Sequence, residues 1–536
     1  MTNTSQLEST QTIEEKSYDA TPYESRSFGQ THPARMAAIA YLFGLTPPDI
    51  ETARVLELGC AAGGNLIPLA YRYPQARFVG VDISGVQVAE GQAHVAELGL
   101  SNIDLLKMSI VDIDADIGQF DFIICHGVYS WVPEPVRDAV MRVCHENLTA
   151  RGVAFVSHNA LPFWHFLQPL RDLLLHHTAA LEPQLRAQSA RALIQDLAAV
   201  QGGLGGDILR NEARLLANQP DYYLIHEYLE DTNYASYFKD FVTHAQTQQL
   251  AYLSDVTVAW TLPESFGKQV AELSYRHGAG DSQQTEQYAD FISGRRFRQT
   301  LLVKHDNGER IRRVLNVDRL DQLHILCRGK ISKQSVSAAS TPMRLAAKPE
   351  VVFRGADEKV VTTPGARMPM RALEYLAESS SAHLSTFTLD ELLQHSAQSS
   401  HWTAEDKSEV GEWLLDMLLQ NHVDVYFVPI RSQALSDKPN ASPLARSDLA
   451  HGRRFTTNAA HQSFTFNEGD KLLLPFLNGT HDRAALEGVA HAAFKAGTLS
   501  LSYEGRALGT SDDATPAVRD YVQTLLARLE NMRLLG

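Results

Sequence analysis

The chain has 536 residues, too many for one ordinary domain, and its 44% hydrophobic content suffices for several packed cores. Its 63 acidic residues outnumber its 48 basic residues, and the formal charge of −15 argues against nucleic acid as the main partner, because phosphate binding depends on cationic side chains. A lysine-bearing protein is electrostatically favoured, although an acidic balance is also an ordinary route to solubility.

The sequence shows no targeting or membrane-spanning segment. Its start, Met1–Lys16, is polar, and no later segment approaches the roughly 20 apolar residues of a span, which predicts a cytoplasmic protein without membrane insertion. The cysteines show no CxxC pairing and the histidines are scattered, so neither a disulfide framework nor a metal site is predicted. The four cysteines are Cys60, Cys125, Cys144 and Cys327.

An aromatic-rich segment precedes the first strand and leads into the helical pattern Ala34–Phe43. Tyr18, Phe28 and His32 lie in this segment and are our candidates for a lid or for substrate contacts. A segment that folds over the site would exclude water from it. In the alternative, these rings only pack an N-terminal helix onto the sheet.

The stretch 55–64, with the sequence VLELGCAAGG, has the layout of a nucleoside-binding βαβ unit. An apolar strand leads into a glycine turn and then into the helical pattern Asn65–Tyr73. Side chains at Gly59 or Gly63 would block close approach of a ligand to the backbone. A second strand ends at Asp82, at the spacing where a carboxylate reaches ribose hydroxyls.

The glycine spacing distinguishes two nucleoside cofactors. The dinucleotide fingerprint G-x-G-x-x-G is absent, because Ala61 stands where its second glycine would fall. Glu57 just before the turn completes E-L-G-C-A-A-G, which resembles the first motif of class I methyltransferases. We therefore predict S-adenosylmethionine as the cofactor, with a degenerate dinucleotide fold as the alternative.

The remaining elements predict an α/β fold with a Rossmann-like, doubly wound, seven-stranded sheet. A helical insertion, Leu161–Asn233, interrupted by glycines at 202–206, delays completion of the sheet, and it either stands over the active site or serves as a spacer that dimerises. Further strands are predicted at Ile103–Leu106, Phe122–Cys125, Val153–His158, Leu250–Leu253 and Phe297–Lys304, with helices at Val86–Leu98, Pro135–Leu148 and Phe238–Gln246.

The C-terminal region is predicted to be α+β and winged-helix-like, with a further linker at Arg431–Arg453. It shows no basic recognition helix, so protein contact is favoured over DNA binding. Helices are predicted at Met370–Ala377, Leu389–His395, Glu412–Asn421, Ala484–Lys495 and Ala517–Met532, with a strand at Val423–Pro429. The predicted domains are 1–160 (cover segment and methyltransferase core), 161–330 (insertion and regulatory domain), 331–352 (linker) and 353–536 (winged-helix-like region).

Several motifs in one chain resemble methyltransferases that carry a methyltransferase regulatory domain, and the long architecture resembles rickettsial-type protein lysine methyltransferases that modify outer-membrane proteins. The motifs are YDATPYES, FGQTHP, LFGLTPP, LELGCAAGGN, FDFIICHGVYSWVP and HEYLED. The regulatory-domain match, EQYADFISGRRFRQTLL, includes Tyr288, Phe291, Arg295, Phe297, Arg298, Gln299 and Thr300. One departure concerns the substrate: Ser157-His158-Asn159 and Pro162-Phe163-Trp164 replace an expected S-Y-N and Pro-Gly-Trp turn.

The resemblance implies a set of cofactor-binding residues, with Glu57 meeting the methionine amino group and the loop after the third strand at the adenine. Asp112 is our second choice at the adenine edge, unless it only caps a turn. The implied set is Glu57, Gly59, Cys60, Ala61, Gly63, Asn65, Asp82, Ile83, Ser109, Ile110 and His126.

The segment after the fourth strand lies where the transferable methyl is expected in this fold, which makes His126, Tyr129 and Trp131 the catalytic candidates. His126 would orient the cofactor or act as a base, and Tyr129 would accept a hydrogen bond from the substrate or deprotonate it. Trp131 would wall the pocket and attract an ammonium group. In the alternative, these side chains pack or make structural hydrogen bonds.

Three functions remain open: a protein lysine methyltransferase, a small-molecule O- or N-methyltransferase, and a catalytically silent cofactor-binding scaffold. The same sheet supports each of them. The sequence fixes neither the acceptor nor the number of methyl groups, and a homodimer is one possible assembly.

Overall fold

The computed structural model describes residues 24–199, 203–217, 219–328, 332–334, 352–354, 360–362, 371–372, 375, 386–397, 401–430 and 435–535. Tyr18, most of the linker 331–352 and most of the predicted helix Met370–Ala377 lie outside these residues.

An eight-stranded sheet forms the centre of the molecule, in the order β3-β2-β1-β4-β5-β8-β7, with the short β6 paired to β5. Strand β8 runs antiparallel to both of its neighbours, β5 and β7, and the other pairs are parallel. The predicted doubly wound α/β sheet is therefore confirmed. Its strands are β1 (Arg54–Leu58), β2 (Arg77–Asp82), β3 (Ile103–Lys107), β4 (Phe120–Cys125), β5 (Leu148–Ala160), β6 (Ala235–Ser236), β7 (Leu250–Asp255) and β8 (Phe297–Lys304).

Helices cover both faces of this sheet, and local capping fixes where some of them begin. Ser84 accepts a hydrogen bond from the Gln87 amide at the start of α3. The helices up to the end of the sheet are α1 (Pro33–Leu42), α2 (Ile67–Arg72), α3 (Gly85–Glu97), α4 (Glu134–Glu146), α5 (Phe163–Thr178), α6 (Pro183–Ala199), α7 (Gly203–Ala217), α8 (Asp221–Leu224), α9 (Phe238–Thr247), α10 (Lys268–Gly278) and α11 (Ser282–Ser293).

Two hydrophobic cores lie on opposite faces of the sheet. Val55 and Phe78 share one core with α1 and α2, whereas Leu56 and Leu58 share the other with α4 and α9. Because both faces of β1 are covered, four of its five residues are buried. Because β1, β2 and β4 are parallel, their carboxyl ends lie together at one end of the sheet.

The insertion between β5 and β6 is helical, as predicted, and has its own small core. The predicted interruption at residues 202–206 is placed a few residues too late, since α6 ends at Ala199, α7 begins at Gly203, and Gly203, Gly205 and Gly206 belong to the first turns of α7. Packing of α7 against α6 overrides the low helix propensity of glycine. A π-helical turn, Ile225–Leu229, ends the insertion.

A buried ion network fixes α11 to the sheet. Arg298 on β8 is fully buried and forms two hydrogen bonds with Asp290, at 2.8 and 2.9 Å, and one with Glu286 at 3.1 Å. Tyr288 and Phe291, from the same regulatory-domain motif, are 38% and 50% exposed. This part of the motif therefore combines a structural anchor with exposed aromatic rings.

The C-terminal region forms two further units. Strand β13 pairs with β9, so the chain on either side of the predicted linker joins in one unit. The predicted linker Arg431–Arg453 is wrong in its second half, which contains a helix that packs Leu444 and Ala445 into the protein. The remaining elements are β9 (His324–Cys327), β10 (Ser332–Gln334), β11 (Val352–Arg354), β12 (Val360–Thr362), α12 (Leu389–Ala397), α13 (Ala404–Leu419), β13 (Val423–Tyr426), α14 (Pro443–Ala450), β14 (Phe455–Thr457), β15 (Ser463–Thr465), α15 (Glu468–Leu473), α16 (Arg483–Lys495), β16 (Ser502–Tyr503), β17 (Arg506–Ala507) and α17 (Thr515–Asn531).

Within the described ranges, no helix is both long and apolar enough to cross a membrane. The four cysteines are buried and unbridged. No cluster of three or more His, Cys, Asp or Glu side chains suited to a metal ion occurs among the residues that the structure describes.

Candidate functional site

A cavity of about 530 Å³ lies at the carboxyl ends of β1, β2 and β4. This volume falls within the range of roughly 300–1,000 Å³ that is usual for small-molecule sites. The structure brings together at this cavity most of the residues that the sequence singled out. They are Phe28, Glu57, Gly59, Cys60, Ala61, Asn65, Asp82, Ile83, Ser109, Ile110, His126 and Trp131.

The turn after β1 depends on glycine at one position that lines the cavity. Gly59 has a φ of +75°, and a Cβ atom there would lie 2.4 Å from Cγ2 of Val128. Gly63 also has a positive φ, but a Cβ atom there would meet Leu105 and Ile67 in the interior. Gly63 does not line the cavity, and the need for glycine there follows from its positive φ and from its close contacts with Leu105 and Ile67.

The carboxylate of Asp82 joins the ends of two strands. One oxygen accepts a hydrogen bond from the Ala61 amide at 2.8 Å, and the other accepts one from the Ser84 amide at 2.9 Å. These bonds hold the glycine turn against the end of β2. The exposed Asp112 does not line the cavity, whereas Ser109 and Ile110 do.

Glu57 is a buried carboxyl with one unsatisfied oxygen. Its Oε1 accepts a 2.8 Å hydrogen bond from Asn65 Nδ2, while Oε2 has no hydrogen-bond partner among the described residues. Burial raises the pKa of Glu57 to about 8, against the hydrogen bond from Asn65, which lowers it. An acidic side chain in this state fits a ligand that brings a positive charge, because an ammonium group would satisfy the free oxygen.

A short cover segment, Glu24–Phe28, lies over the glycine turn. The Gly64 amide donates a 2.7 Å hydrogen bond to Ser25 Oγ, and the Phe28 amide donates one of 3.0 Å to Asn65 Oδ1. A Cβ atom on Gly64 would lie only 2.5 Å from the backbone of Ser25. Phe28, at the end of the cover segment, thus lines the cavity, and it lies in the region where the sequence predicted a lid.

His32 does not reach the cavity, and its assignment as a lid or substrate residue is wrong. Its Nδ1 accepts a hydrogen bond from the Ala34 amide and thereby caps α1. The ring is fully buried next to Tyr73, Tyr426 and His461, and burial lowers its pKa well below the usual value. The histidine that opens α1 is part of the interior.

His126 lines the cavity as predicted. Its Nδ1 lies 2.9 Å from Ser157 Oγ, which also accepts a hydrogen bond from the Gly127 amide. The ring packs edge-on against Phe28, with 4.2 Å between the ring centroids. Burial lowers its pKa to about 4, so it is uncharged at neutral pH and is a weak base there.

Tyr129 points away from the cavity, so its assignment to catalysis is wrong. The side chain is 1% exposed, and its hydroxyl forms a 2.7 Å hydrogen bond with His244 Nδ1. The ring packs in the core on the α9 side of the sheet, next to Phe241. Because burial raises its pKa far above that of an ordinary tyrosine, the hydroxyl stays protonated.

The insertion and β8 supply residues of the cavity that sequence reasoning did not assign to the site. Glu227 lies in the π-helical turn, and burial raises its pKa to about 7. The motif HEYLED quoted above contains Glu227, but the sequence of the motif does not show which of its side chains face the cavity. The other unassigned lining residues from this side are Asn159, Trp164, Tyr223, His226, Arg296, Phe297 and Gln299.

Arg296 is the cation beside Glu227, and its hydrogen bonds go to other residues of the insertion. Its guanidinium donates to Glu212 at 3.0 Å and to the Tyr228 hydroxyl at 2.6 Å. It also lies over the ring of Trp164, 5.7 Å from the centroid. Trp164 in turn packs edge-on against Trp131, so aromatic walls line this end of the cavity.

Three family descriptions match separate parts of the chain. Residues 55–152 match "Methyltransferase domain", residues 220–304 match "Predicted methyltransferase regulatory domain" and residues 437–534 match "PKMT, C-terminal winged helix domain". The predicted winged-helix-like fold is thereby confirmed for the C-terminal part.

Relatives and a solved structure extend this similarity over most of the chain. The chain is 33% identical over 504 residues to "Uncharacterized protein RP789" of Rickettsia prowazekii, which covers 92% of this chain and 89% of that protein. It is 36% identical over 241 residues to "Uncharacterized protein RP028" of the same organism, which covers 44% of this chain and 96% of that protein. The structure of PKMT2 from Rickettsia typhi in complex with AdoHcy superposes with a TM-score of 0.83 at 27% identity, covering 96% of this chain and 100% of that one.

Proposed function

The chain belongs to the family of S-adenosylmethionine-dependent methyltransferases that carry a methyltransferase regulatory domain and a PKMT winged helix domain, and we propose that it methylates lysine side chains of a protein substrate. The cofactor is S-adenosylmethionine. The features of the cavity that support a lysine acceptor lie at the end formed by the insertion and β8.

We assign the cofactor contacts from the donors and acceptors that line the cavity. The unsatisfied oxygen of Glu57 would take the amino group, and Asp82 at the end of β2 would take the ribose hydroxyls. Ser109 and Ile110 would contact the edge of the adenine ring, and Phe28 of the cover segment would cover the bound cofactor. When bound, the cofactor supplies a methyl group on a positively charged sulfur.

A lysine acceptor needs a site that tolerates its positive charge and then takes up a proton. Glu227 supports both requirements, and its position in the lining of the cavity, together with Trp131 and Tyr223, is the observation that carries the proposal. A carboxyl with a pKa of about 7 is partly ionised at neutral pH, where it can attract an ammonium group and accept its proton. Trp131 and Tyr223 line the same cavity and would enclose the aliphatic stem and the charged head.

The other titratable candidates fit this task less well. His126 has a pKa of about 4 and would remain unprotonated beside a lysine ammonium. Tyr129 lies outside the cavity, with its hydroxyl bonded to His244. Methyl transfer itself requires alignment and a dry pocket and no covalent intermediate, so no nucleophile of the protein is needed.

The test is to label a lysate from cells that lack this protein. Purified enzyme and methyl-deuterated S-adenosylmethionine are added, and proteins and metabolites are scanned together by mass spectrometry. We expect deuterated methyl groups on lysine side chains of one or a few proteins. Label confined to metabolites would overturn the lysine assignment, and no label despite cofactor binding would favour a catalytically silent scaffold.

Two variants make this experiment specific for the acceptor end of the cavity. Glu227→Gln should lower lysine labelling by about 10²-fold, the smaller end of the usual contribution of a general base. The matched control is Asp231→Asn, an exposed carboxylate four residues further along the chain. Equal labelling by the Glu227 variant and wild type would remove Glu227 from the reaction.

A further inference from the structure

A loop of the C-terminal winged-helix unit reaches into the methyltransferase core. The hairpin β14–β15 carries the connecting loop Asn458–Gln462, whose residues Ala459, Ala460 and His461 are 7%, 0% and 2% exposed. Ala459 and Ala460 belong to the same hydrophobic core as α1 and α2. The loop is therefore part of the interior of the methyltransferase domain, although it lies about 400 residues after the glycine turn.

His461 forms a hydrogen bond with a cofactor-site residue. Its Nε2 lies 2.8 Å from Asn65 Oδ1, which also accepts a hydrogen bond from the Phe28 amide at 3.0 Å. The Phe28 amide can only donate, so the Asn65 atom that it contacts is the oxygen, and His461 Nε2 carries the proton. Burial lowers the pKa of His461 to about 3, which keeps the ring neutral.

The bond continues to the unsatisfied carboxyl at the cavity. With its oxygen held by the Phe28 amide and by His461, Asn65 presents Nδ2 to Glu57 Oε1 at 2.8 Å. This fixes which oxygen of Glu57 is occupied and which one lacks a partner among the described residues. The order of contacts is His461, Asn65, Glu57 and then the ligand.

The loop is built to present His461 in this position. The Asn458 side chain accepts hydrogen bonds from the amides of Ala460 and Gln462, at 2.9 and 2.8 Å. His461 has a φ of +61°, a left-handed conformation that non-glycine residues adopt at a cost. The turn thereby holds the buried ring of His461 against Asn65, a residue that lines the cavity.

We propose that His461 is a positioning residue for S-adenosylmethionine, which acts through Asn65 to orient Glu57 toward the amino group of the cofactor. The C-terminal winged-helix unit is thereby a structural part of the cofactor site. The proposal rests on the placement of the amino group at Glu57 given above, and it does not depend on the identity of the methyl acceptor.

The proposal predicts a loss that is selective for one end of the cofactor. S-Adenosylhomocysteine carries the amino acid portion, whereas 5′-methylthioadenosine carries only the nucleoside and thioether. His461→Ala should raise the Kd of S-adenosylhomocysteine by about five- to tenfold, the effect of one buried hydrogen bond, and leave that of 5′-methylthioadenosine within about twofold. A general weakening of the domain would raise both.

Titration calorimetry on the full chain provides this comparison. The conservative variant His461→Gln replaces the imidazole N–H with an amide N–H that can also donate to Asn65. It should recover most of the affinity for S-adenosylhomocysteine. The matched control is Ser463→Ala in the same hairpin, because the Ser463 hydroxyl has no hydrogen-bond partner in the described part of the chain. Equal losses for both ligands in His461→Ala, or no loss for either, would overturn the proposal.

Two further measurements separate this inference from its premise. Glu57→Gln should itself lower the affinity for S-adenosylhomocysteine and leave that for 5′-methylthioadenosine unchanged. If it does not, the placement of the amino group at Glu57 is wrong, whatever the result for His461. In the wild-type protein, S-adenosylhomocysteine should slow hydrogen exchange of the amides in Phe455–Thr465 more than saturating 5′-methylthioadenosine does, because coupling is reciprocal. Equal protection by the two ligands contradicts a role of His461 at the amino group, even where a substitution prevents folding.

Discussion

Asn65 donates a 2.8 Å hydrogen bond to Glu57, and this leaves one oxygen of a buried carboxyl without a partner among the described residues. A buried polar atom in this condition costs free energy until a ligand satisfies it. The buried carboxyl of Glu57 therefore has an incomplete set of hydrogen bonds. An ammonium group that pairs with it would supply the missing hydrogen bond and a counter-charge for the ionised form.

The pKa of about 8 at Glu57 predicts that cofactor affinity depends on pH. Below pH 8 the free carboxyl holds a proton that it must release to pair with an ammonium group, while an α-amino group stays charged below roughly pH 8. The Kd of S-adenosylhomocysteine should therefore fall about tenfold per unit as pH rises from 6 to 7.5. Calorimetry in buffers of different ionisation heat would measure the Kd and the released proton.

The control for this prediction is Glu57→Gln, which cannot titrate. Its affinity should be lower than that of wild type at pH 8 and nearly constant from pH 6 to 8. A wild-type Kd that does not change over this range would contradict the assignment of Glu57 to the amino group.

Gly59→Ala should be far more damaging than Gly127→Ala, although both glycines have positive φ angles and line the cavity. A Cβ atom at Gly59 would overlap Val128, whereas one at Gly127 meets nothing within 4 Å. We expect a loss of about 1 kcal/mol for Gly127→Ala from the backbone alone, and at least about 2 kcal/mol for Gly59→Ala. Urea unfolding monitored by circular dichroism tests the order, and similar losses would show that the turn can adjust.

Tyr129→Phe should cost stability and spare activity. The substitution removes the hydrogen bond to His244 inside the core, which is worth about 1 kcal/mol, and it touches no cavity residue through the lost hydroxyl. Turnover of the labelled protein substrate should stay within about twofold of wild type, while the urea midpoint falls. A tenfold loss of turnover with unchanged stability would indicate that Tyr129 takes part in catalysis after all.

Glu227 should give the pH profile of kcat/KM an inflection near 7. The ionised carboxylate is the form that binds an ammonium group and accepts its proton, so activity falls about tenfold per unit below this pH. The lysine amine has an ordinary pKa of about 10.4, which adds a separate rise at higher pH. Glu227→Gln should remove the inflection near 7 and keep the second rise, and a profile with both features intact would assign the inflection to another group.

Arg298→Met should destabilise the protein by about 3–5 kcal/mol, because it removes the buried cation that forms hydrogen bonds with Asp290 and Glu286 and leaves Asp290 only the longer contact with Arg295. The exposed Arg276 offers a matched control, since Arg276→Met should change stability by less than about 0.5 kcal/mol. Adding Asp290→Asn to Arg298→Met should recover part of the loss in urea unfolding. No recovery would indicate that packing of the arginine, and not its charge, is what matters.

The sequence was sufficient for the sheet, the cofactor and most of the glycine turn, because these depend on local patterns. Strand β1 runs directly into the glycine turn, and Asp82 follows after one helix and one strand. Each of these features can be recognised from residue spacing along the chain. The predicted cofactor and fold class are confirmed. Phe28 lies at the cavity as the aromatic lead-in indicated.

The errors at the site have a common cause, which is the direction in which a side chain points. Tyr129 and Trp131 are two residues apart, yet only Trp131 lines the cavity. His32 was grouped with Phe28 by proximity in the chain, but it caps a buried helix. Glu227 and His461 come from segments far along the chain, and only tertiary packing brings them to the site.

The place of β8 between β5 and β7 has a consequence for synthesis on the ribosome. About 140 residues separate the end of β5 from the end of β8, so the first five strands are made long before their sheet can close. At translation rates of roughly 5–20 residues per second, the edge of β5 waits for about 7–30 s with unpaired backbone groups. We therefore expect chaperones to assist the nascent chain, and slowing translation after Lys304 should lower the yield less than slowing it before.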